Sequence, residues 1–171
     1  MEIVRNLIRD IPDFPKKGIV FKDITPLLAN GPAFQSVIHA FVERLDGLGV
    51  TKVIGIESRG FIFGAALAHQ LGIGFVPVRK PGKLPYQTVR ETYSLEYGTD
   101  AIEMHRDAIK PGEKVAIVDD LLATGGTLAA CAKLVKSVGG DAVITLLVVE
   151  LAFLNGRDKL PGQKIEALVT Y

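Results

Sequence analysis

The apolar positions change period along the chain, and the changes mark out elements. Residues 2–9 alternate charge with apolar side chains as a short helix does, and Pro12 and Pro15 prevent its continuation. After Gly31-Pro32, the residues Phe34, Val37, Ile38, Phe41, Val42 and Leu45 recur at helical spacing, which predicts a helix over 33–48. From Lys52 onward the pattern becomes strand, helix, strand. Short β-branched runs at 52–56, 75–78, 115–118 and 142–149 read as strands. Between them, 59–71 reads as a helix of small residues, and 126–138 as a helix with Leu128, Cys131, Val135 and Val138 on one face. Continuously apolar strands that alternate with helices belong to the α/β class, a central, mostly parallel sheet flanked by helices on both faces. Such sheets take ligands at the carboxyl ends of their strands.

One segment breaks the rhythm. Residues 80–111 are charged and rich in Tyr, Thr and Glu, carry no helical stripe, and are too many for a plain connection. A β-rich excursion over the site, acting as a lid, fits better. No linker, charge block or repeat divides the sequence, so 1–171 is expected to be a single domain.

Composition adds limits. Hydrophobic residues at 48% and charged residues at 23% are the balance of a globular protein. A net charge of +1, from 20 Lys+Arg against 19 Asp+Glu, gives no broad field for nucleic acid or an anionic membrane, and neither is expected as a partner. Any bound anion must be held by local clusters. A mean hydropathy of +0.29 points to apolar surface covered by a second subunit. The single cysteine, Cys131, excludes a disulfide within the chain and fits a reducing, cytoplasmic setting. The apolar run 142–149 is too short to cross a bilayer, and the N-terminal stretch lacks the apolar core of a signal peptide.

The richest chemistry lies in Val115-Ala-Ile-Val-Asp119-Asp120-Leu-Leu-Ala123-Thr124-Gly125-Gly126-Thr127. A buried strand ends in two carboxylates, and a glycine- and hydroxyl-rich turn then opens a helix. Gly125 and Gly126 permit close backbone approach, and the helix start presents amides and partial positive charge to a phosphate. Thr124 and Thr127 can donate to the same oxygens. Asp119 and Asp120 need donors, either sugar hydroxyls or a hydrated metal. Two acids at a buried strand end are costly without such partners, so mere helix capping is the weaker explanation. Phosphate donors beside paired acceptors describe a ribose 5-phosphate site. No G-x-x-x-x-G-K-[ST] and no G-x-G-x-x-G follows any strand, which disfavours ATP chemistry and dinucleotide binding.

Residues 115–127 resemble the phosphoribosyl pyrophosphate (PRPP) motif of the type I phosphoribosyltransferases. Further blocks resemble that family's adenine-using members, in the same order: Phe14-Pro-Lys-Lys-Gly-Ile-Val-Phe-Lys-Asp-Ile-Thr, Glu57-Ser-Arg-Gly-Phe-Ile-Phe-Gly, Val78-Arg-Lys-Pro-Gly-Lys-Leu-Pro and Tyr93-Ser-Leu-Glu-Tyr-Gly. The resemblance implies the type I phosphoribosyltransferase fold, with 1–32 and 80–111 as base-binding hood and lid. It implies purine salvage: pentosyl transfer from PRPP to adenine, giving AMP and pyrophosphate, with Mg²⁺ bound mainly through PRPP, in a homodimer. Another purine (xanthine, guanine or hypoxanthine) and a non-catalytic PRPP-sensing regulator are the alternatives, the second disfavoured because the chain has no spare length for a nucleic-acid-binding module.

The resemblance also implies roles. Ala123, Thr124, Gly125, Gly126 and Thr127 cradle the 5-phosphate, and Asp119 and Asp120 meet the ribose hydroxyls. Glu57, Ser58, Arg59 and Gly60, with a cis Glu57-Ser58 bond, face the pyrophosphate, joined by Arg79, Lys80, Lys83 and His105. Phe21 stacks on the base while the backbone of Val20 and Lys22 reads its edge; arginine is common at the Lys22 position, and lysine cannot offer the same flat group. Glu96 handles the proton on the purine. His39 and His69 are expected in the core or an interface, and Cys131 in the core.

Overall fold

The apolar runs form the middle of one sheet. A computed structural model describes residues 1–94 and 98–171. Strands β3 (Lys52–Ile56), β4 (Gly74–Val78), β7 (Lys114–Leu122), β8 (Asp141–Glu150) and β9 (Ile165–Thr170) pair in the order β4-β3-β7-β8-β9, every pair parallel. Their apolar side chains alternate between two cores, as the pleat requires. Val53, Ala116, Val118 and Leu146 point to one face, under helices α3 (Gly31–Leu45) and α4 (Arg59–Leu71). Ile54, Ile117 and Leu147 point to the other, under α5 (Gly126–Ser137). Phe41 and Phe63 are fully buried on the first face, where truncation of either to alanine is expected to cost about 3–5 kcal/mol.

The strand order places the site. The chain leaves β3 towards β4 on one side, and leaves β7 towards β8 and β9 on the other. The reversal lies between β3 and β7, and a doubly wound sheet opens a crevice at such a point, above the carboxyl ends. Two antiparallel hairpins flank it. One is β1 (Arg9–Pro12) with β2 (Val20–Asp23), preceded by α1 (Glu2–Asn6) and followed by α2 (Thr25–Ala29). The other is β5 (Thr88–Ser94) with β6 (Thr99–His105), within the 80–111 excursion. Ile102 and Met104 of β6 are buried with Ile56, Val78 and Leu128, and Arg79 and Glu103 exchange backbone hydrogen bonds of 2.9 and 2.7 Å that tie the excursion to the end of β4.

The structure corrects several expectations. The first helix ends at Asn6, because Arg9–Pro12 is taken up as a strand opposite β2, with Asp10 opposite Lys22. The α3 helix begins at Gly31 and ends at Leu45 rather than spanning 33–48. β7 does not stop before the acids but runs through them to Leu122, held by pairing with β8. β9, unforeseen, completes the sheet, its partly polar run hidden from a search for continuous apolarity. His39 and His69 are exposed, so neither lies in this chain's core, while Cys131 is buried with its thiol pushed up by burial.

Candidate active site

Three strand ends converge on a cleft of about 310 Å³, lined among others by Glu57, Ser58, Arg59, Lys80, Asp119, Asp120 and Thr127. Asp119, Leu121 and the turn through Leu128 line an adjoining recess of about 100 Å³. A larger hollow of about 610 Å³ lies at the amino ends of β3 and β4, beside the end of α3, but its lining brings neither a cation nor a hydroxyl group. The chemistry is in the smaller one.

The shape of the turn from Ala123 to Thr127 follows from its sequence. Gly125 sits in the left-handed region at φ 78°, where a β-carbon is strained, and it opens α5 without any side-chain cap. The α4 helix, which starts at Arg59, is also uncapped by a side chain, whereas Asn30 caps α3 by accepting from the Ala33 amide at 3.0 Å. The helices that open on the cleft thus leave their first amides for something else, and an anion satisfies them.

The acids are held under strain. The Asp119 carboxyl is pushed well above its ordinary range, first by burial and then by the neighbouring Asp120 charge. Its own surface is only half-buried, because it faces the cleft while protein packs densely behind it. Asp120 is buried and also raised, by burial, although Arg59 lies 2.9 Å from its carboxylate and pulls the other way. A donor-bearing ligand relieves both groups.

The cations are already engaged. Burial alone would raise Glu57, but the Lys83 ammonium, the Lys80 amide at 3.0 Å and Arg79 Nε at 3.1 Å hold it below its usual value. Lys80 binds Asp100 and, at 3.1 Å, the Tyr93 hydroxyl; these partners outweigh its partial burial and raise its pKa. Tyr93 also donates to Asp100 at 3.2 Å and accepts from Thr127 at 3.2 Å, so one hydroxyl joins the excursion to the turn. Neither Tyr93 nor Asp100 was predicted. Tyr93 lies within a block that carries the family resemblance, but nothing in one-dimensional spacing shows that its oxygen reaches Thr127.

All but one of the residues expected at the site lie within the described structure. Ala123, Thr124, Gly125, Gly126 and Thr127 form the recess wall, and Asp119 and Asp120 stand beside them. The Glu57-Ser58 bond is cis. The phenyl ring of Phe21 is half-buried on the β1–β2 hairpin, edge-on to Phe14 at 5.3 Å and 5.2 Å from the Arg59 guanidinium, so it is not a core residue. Val20 is exposed. Lys22 turns elsewhere: its ammonium binds Asp10 at 2.6 Å and lies 3.8 Å from the centre of the Tyr171 ring. His105 is not brought to the cleft. It lies in a separate hollow with Phe75, Pro77 and Asp107, accepting from the Tyr86 amide at 3.4 Å. Glu96 lies outside the described residues.

Comparison with known proteins gives the same picture. The family profile for the phosphoribosyl transferase domain matches residues 23–165. The adenine phosphoribosyltransferase of Syntrophotalea carbinolica is 55% identical over 171 residues, with 100% of each chain covered. That of Pelobacter propionicus is 58% identical, covering 100% of this chain and 99% of its own. Among solved structures, adenine phosphoribosyltransferase from Thermoanaerobacter pseudethanolicus superposes with a TM-score of 0.97 at 54% identity, covering 99% of each chain. The Saccharomyces cerevisiae enzyme, crystallised with an imino-altritol bisphosphate and adenine, gives 0.94 at 42% identity, covering 98% of this chain and 97% of its own. With the crevice at the sheet's reversal, its paired acids and amide-lined turn, and relatives more than half identical from end to end, the chain belongs to the adenine phosphoribosyltransferases, within the phosphoribosyl transferase domain family.

Proposed function

We propose that this cleft carries out its family's reaction, transfer of the phosphoribosyl group of PRPP to adenine with release of pyrophosphate, and that the residues divide the work as follows. The observation that carries the assignment is the adjacency of Asp119 and Asp120 to the uncapped start of α5. The turn from Ala123 to Thr127 holds the 5-phosphate, while the two carboxylates accept from the ribose hydroxyls. The Glu57-Ser58-Arg59-Gly60 turn, with Arg79, Lys80 and Lys83, faces the pyrophosphate; their present pairing with Asp120, Glu57 and Asp100 keeps the cations oriented until the substrate competes for them. Phe21 stacks on adenine, and the backbone at Val20 and Lys22 reads its edge. A site built for an amino group rejects a carbonyl there, because a buried polar atom is left unpaired.

The chemistry asks little covalent work of the protein. As the C1–O bond to pyrophosphate loosens, positive charge grows on the sugar and negative charge on the leaving group. Fixed cations and amides answer the latter without reorganising, and N9 of adenine closes from the other face. Glu96 takes up proton handling on the purine. The 80–111 excursion, tied to the site through Tyr93, excludes the water that would otherwise consume PRPP.

Mg²⁺ fits this site through its substrate. Among the described residues no group of three or more His, Cys, Asp or Glu converges as a metal cage. The ion would be held with the oxygens of the substrate, with Asp119 and Asp120 nearby, and would supply neutralisation of the leaving group. His105, away from the cleft of its own chain, fits a role at a partner subunit's site. Exposed Ile62 and Tyr86 support a homodimer, which light scattering would test. The reading also takes 1–171 as one domain, with 1–32 as hood and 80–111 as lid, working in the cytoplasm, consistent with a buried free thiol. The test is AMP formation from adenine, PRPP and Mg²⁺, run beside hypoxanthine, guanine and xanthine. Turnover with a 6-oxopurine in preference to adenine would overturn the base assignment.

A further inference from the structure

The phosphate turn is supported from behind by a segment that lines neither the cleft nor the recess. Glu150 ends β8, directly opposite Leu122, the last residue of β7 before the turn. It is buried, and Arg157 grips it with both arms, Nε to Oε1 at 2.6 Å and Nη2 to Oε2 at 2.7 Å. The third guanidinium nitrogen donates to the Ile165 carbonyl at 3.1 Å, where β9 begins. Between these two residues the chain makes two 3-10 turns, Ala152–Leu154 and Gly156–Lys159. The second brings Gly156 against the phosphate turn.

The fit there leaves no room. A β-carbon on Gly156 would lie 2.2 Å from the Ala123 carbonyl oxygen and 3.1 Å from the Gly125 amide nitrogen. Reciprocally, a β-carbon on Gly125 would lie 2.2 Å from the Gly156 carbonyl oxygen. Backbone rests on backbone, so neither side yields by turning a flexible side chain. The Leu151 amide donates to Leu122 at 2.9 Å, fastening the same strand end.

We infer that Gly156 and Arg157 are positioning residues for the phosphate turn: the Glu150–Arg157 pair clamps the Gly156 backbone against Ala123 and Gly125, and this contact sets where the α5 amides point. The inference rests on the reading that this turn holds the 5-phosphate. Arginine suits the clamp because its planar fork meets both carboxylate oxygens and still reaches Ile165, which a lysine's single ammonium does not.

The test uses the full chain. Gly156→Ala, Arg157→Met and Arg157→Lys are compared with wild type by calorimetric binding of ribose 5-phosphate, by steady-state kinetics and by thermal unfolding. Thr127→Val serves as a direct probe of the turn itself. The expected result for Gly156→Ala and Arg157→Met is a rise of about tenfold in the ribose 5-phosphate Kd and the PRPP KM, the loss of about one phosphate hydrogen bond, with kcat and the adenine KM within about twofold. Arg157→Lys should fall between Arg157→Met and wild type. A PRPP KM that stays put in folded Gly156→Ala and Arg157→Lys, while Thr127→Val weakens binding, would overturn the clamp and leave the phosphate site standing. Equal loss of PRPP and adenine affinity would also overturn it, as general loosening. If Thr127→Val is inert too, the phosphate assignment falls with the clamp.

Discussion

Replacing Asp119 with asparagine separates what this acid costs the fold from what it gives the ligand. The side chain is held well above its ordinary value of 3.8 by burial and by Asp120, so the folded protein binds its proton more tightly than the unfolded chain does. Such a group leaves stability whole below the unfolded value and lowers it as pH rises through the folded one. The amide keeps a carbonyl oxygen for the Asp120 N–H, now 2.9 Å from Oδ1, but carries no charge to bury. Relief of a poorly satisfied buried group is worth about 1–3 kcal/mol, or roughly 2–12 °C in Tm for a chain of this size. Ligand-free Asp119→Asn should therefore be the more stable protein near neutral pH, and its advantage should vanish as pH falls towards 3.8. In the presence of AMP the order should reverse, because the carboxylate that burdened the fold is the one that accepts from ribose. Urea unfolding across this pH range, with and without AMP, reads both effects. A variant less stable than wild type at neutral pH, or an advantage that ignores pH, would refute the account of strain; undiminished stabilisation by AMP would remove Asp119 from the ribose.

Other substitutions probe the remaining parts. Tyr93→Phe keeps the ring and deletes the oxygen shared by Lys80, Asp100 and Thr127, so PRPP KM should rise several-fold, by about one hydrogen bond, at near-native Tm; an unchanged KM would make the hydroxyl incidental. Phe21→Leu should raise the adenine KM roughly 2- to 12-fold, the aromatic increment of a stacked pair, without moving that of PRPP. Lys22→Met should behave the opposite way, losing about 1 kcal/mol of stability from its Tyr171 and Asp10 contacts while the adenine KM stays constant, and a selective adenine defect would return the Lys22 side chain to the base.

The sheet was largely legible because its strands are buried on both faces, which writes them as unbroken apolar runs such as Val115-Ala-Ile-Val and Val143-Ile-Thr-Leu-Leu-Val-Val. β9 was missed for the complementary reason: it pairs with β8 alone, and Glu166 interrupts its run. The local pattern overextends the first helix because Arg9–Pro12 owes its extended form to β2, a partner beyond any local window. The hairpin of the 80–111 excursion was foreseen in kind but not in register, since its alternation is half-buried and polar.

For the site, most of the residues that share the cleft were legible in the sequence, and their pairing was not. Two acids beside Gly125-Gly126 narrow the choice of ligand, because few groups satisfy carboxylates and helix amides a few ångströms apart. What the pattern could not convey is the balance of charge. Arg59 reads as a cation misplaced at a helix start, yet it is held by Asp120, as Lys80 is by Asp100 and Lys83 by Glu57. These partners are distant in sequence: parallel strands that end together bring Arg59 to Asp120 and Lys83 to Glu57, and the β5–β6 hairpin brings Asp100 to Lys80. The consequence is physical: the cations of the cleft carry charge that is already partly answered, so an anion that binds them must exchange with a carboxylate rather than simply add to the site. Such an exchange makes the free site a weak trap for a simple anion, because each displaced carboxylate loses its partner.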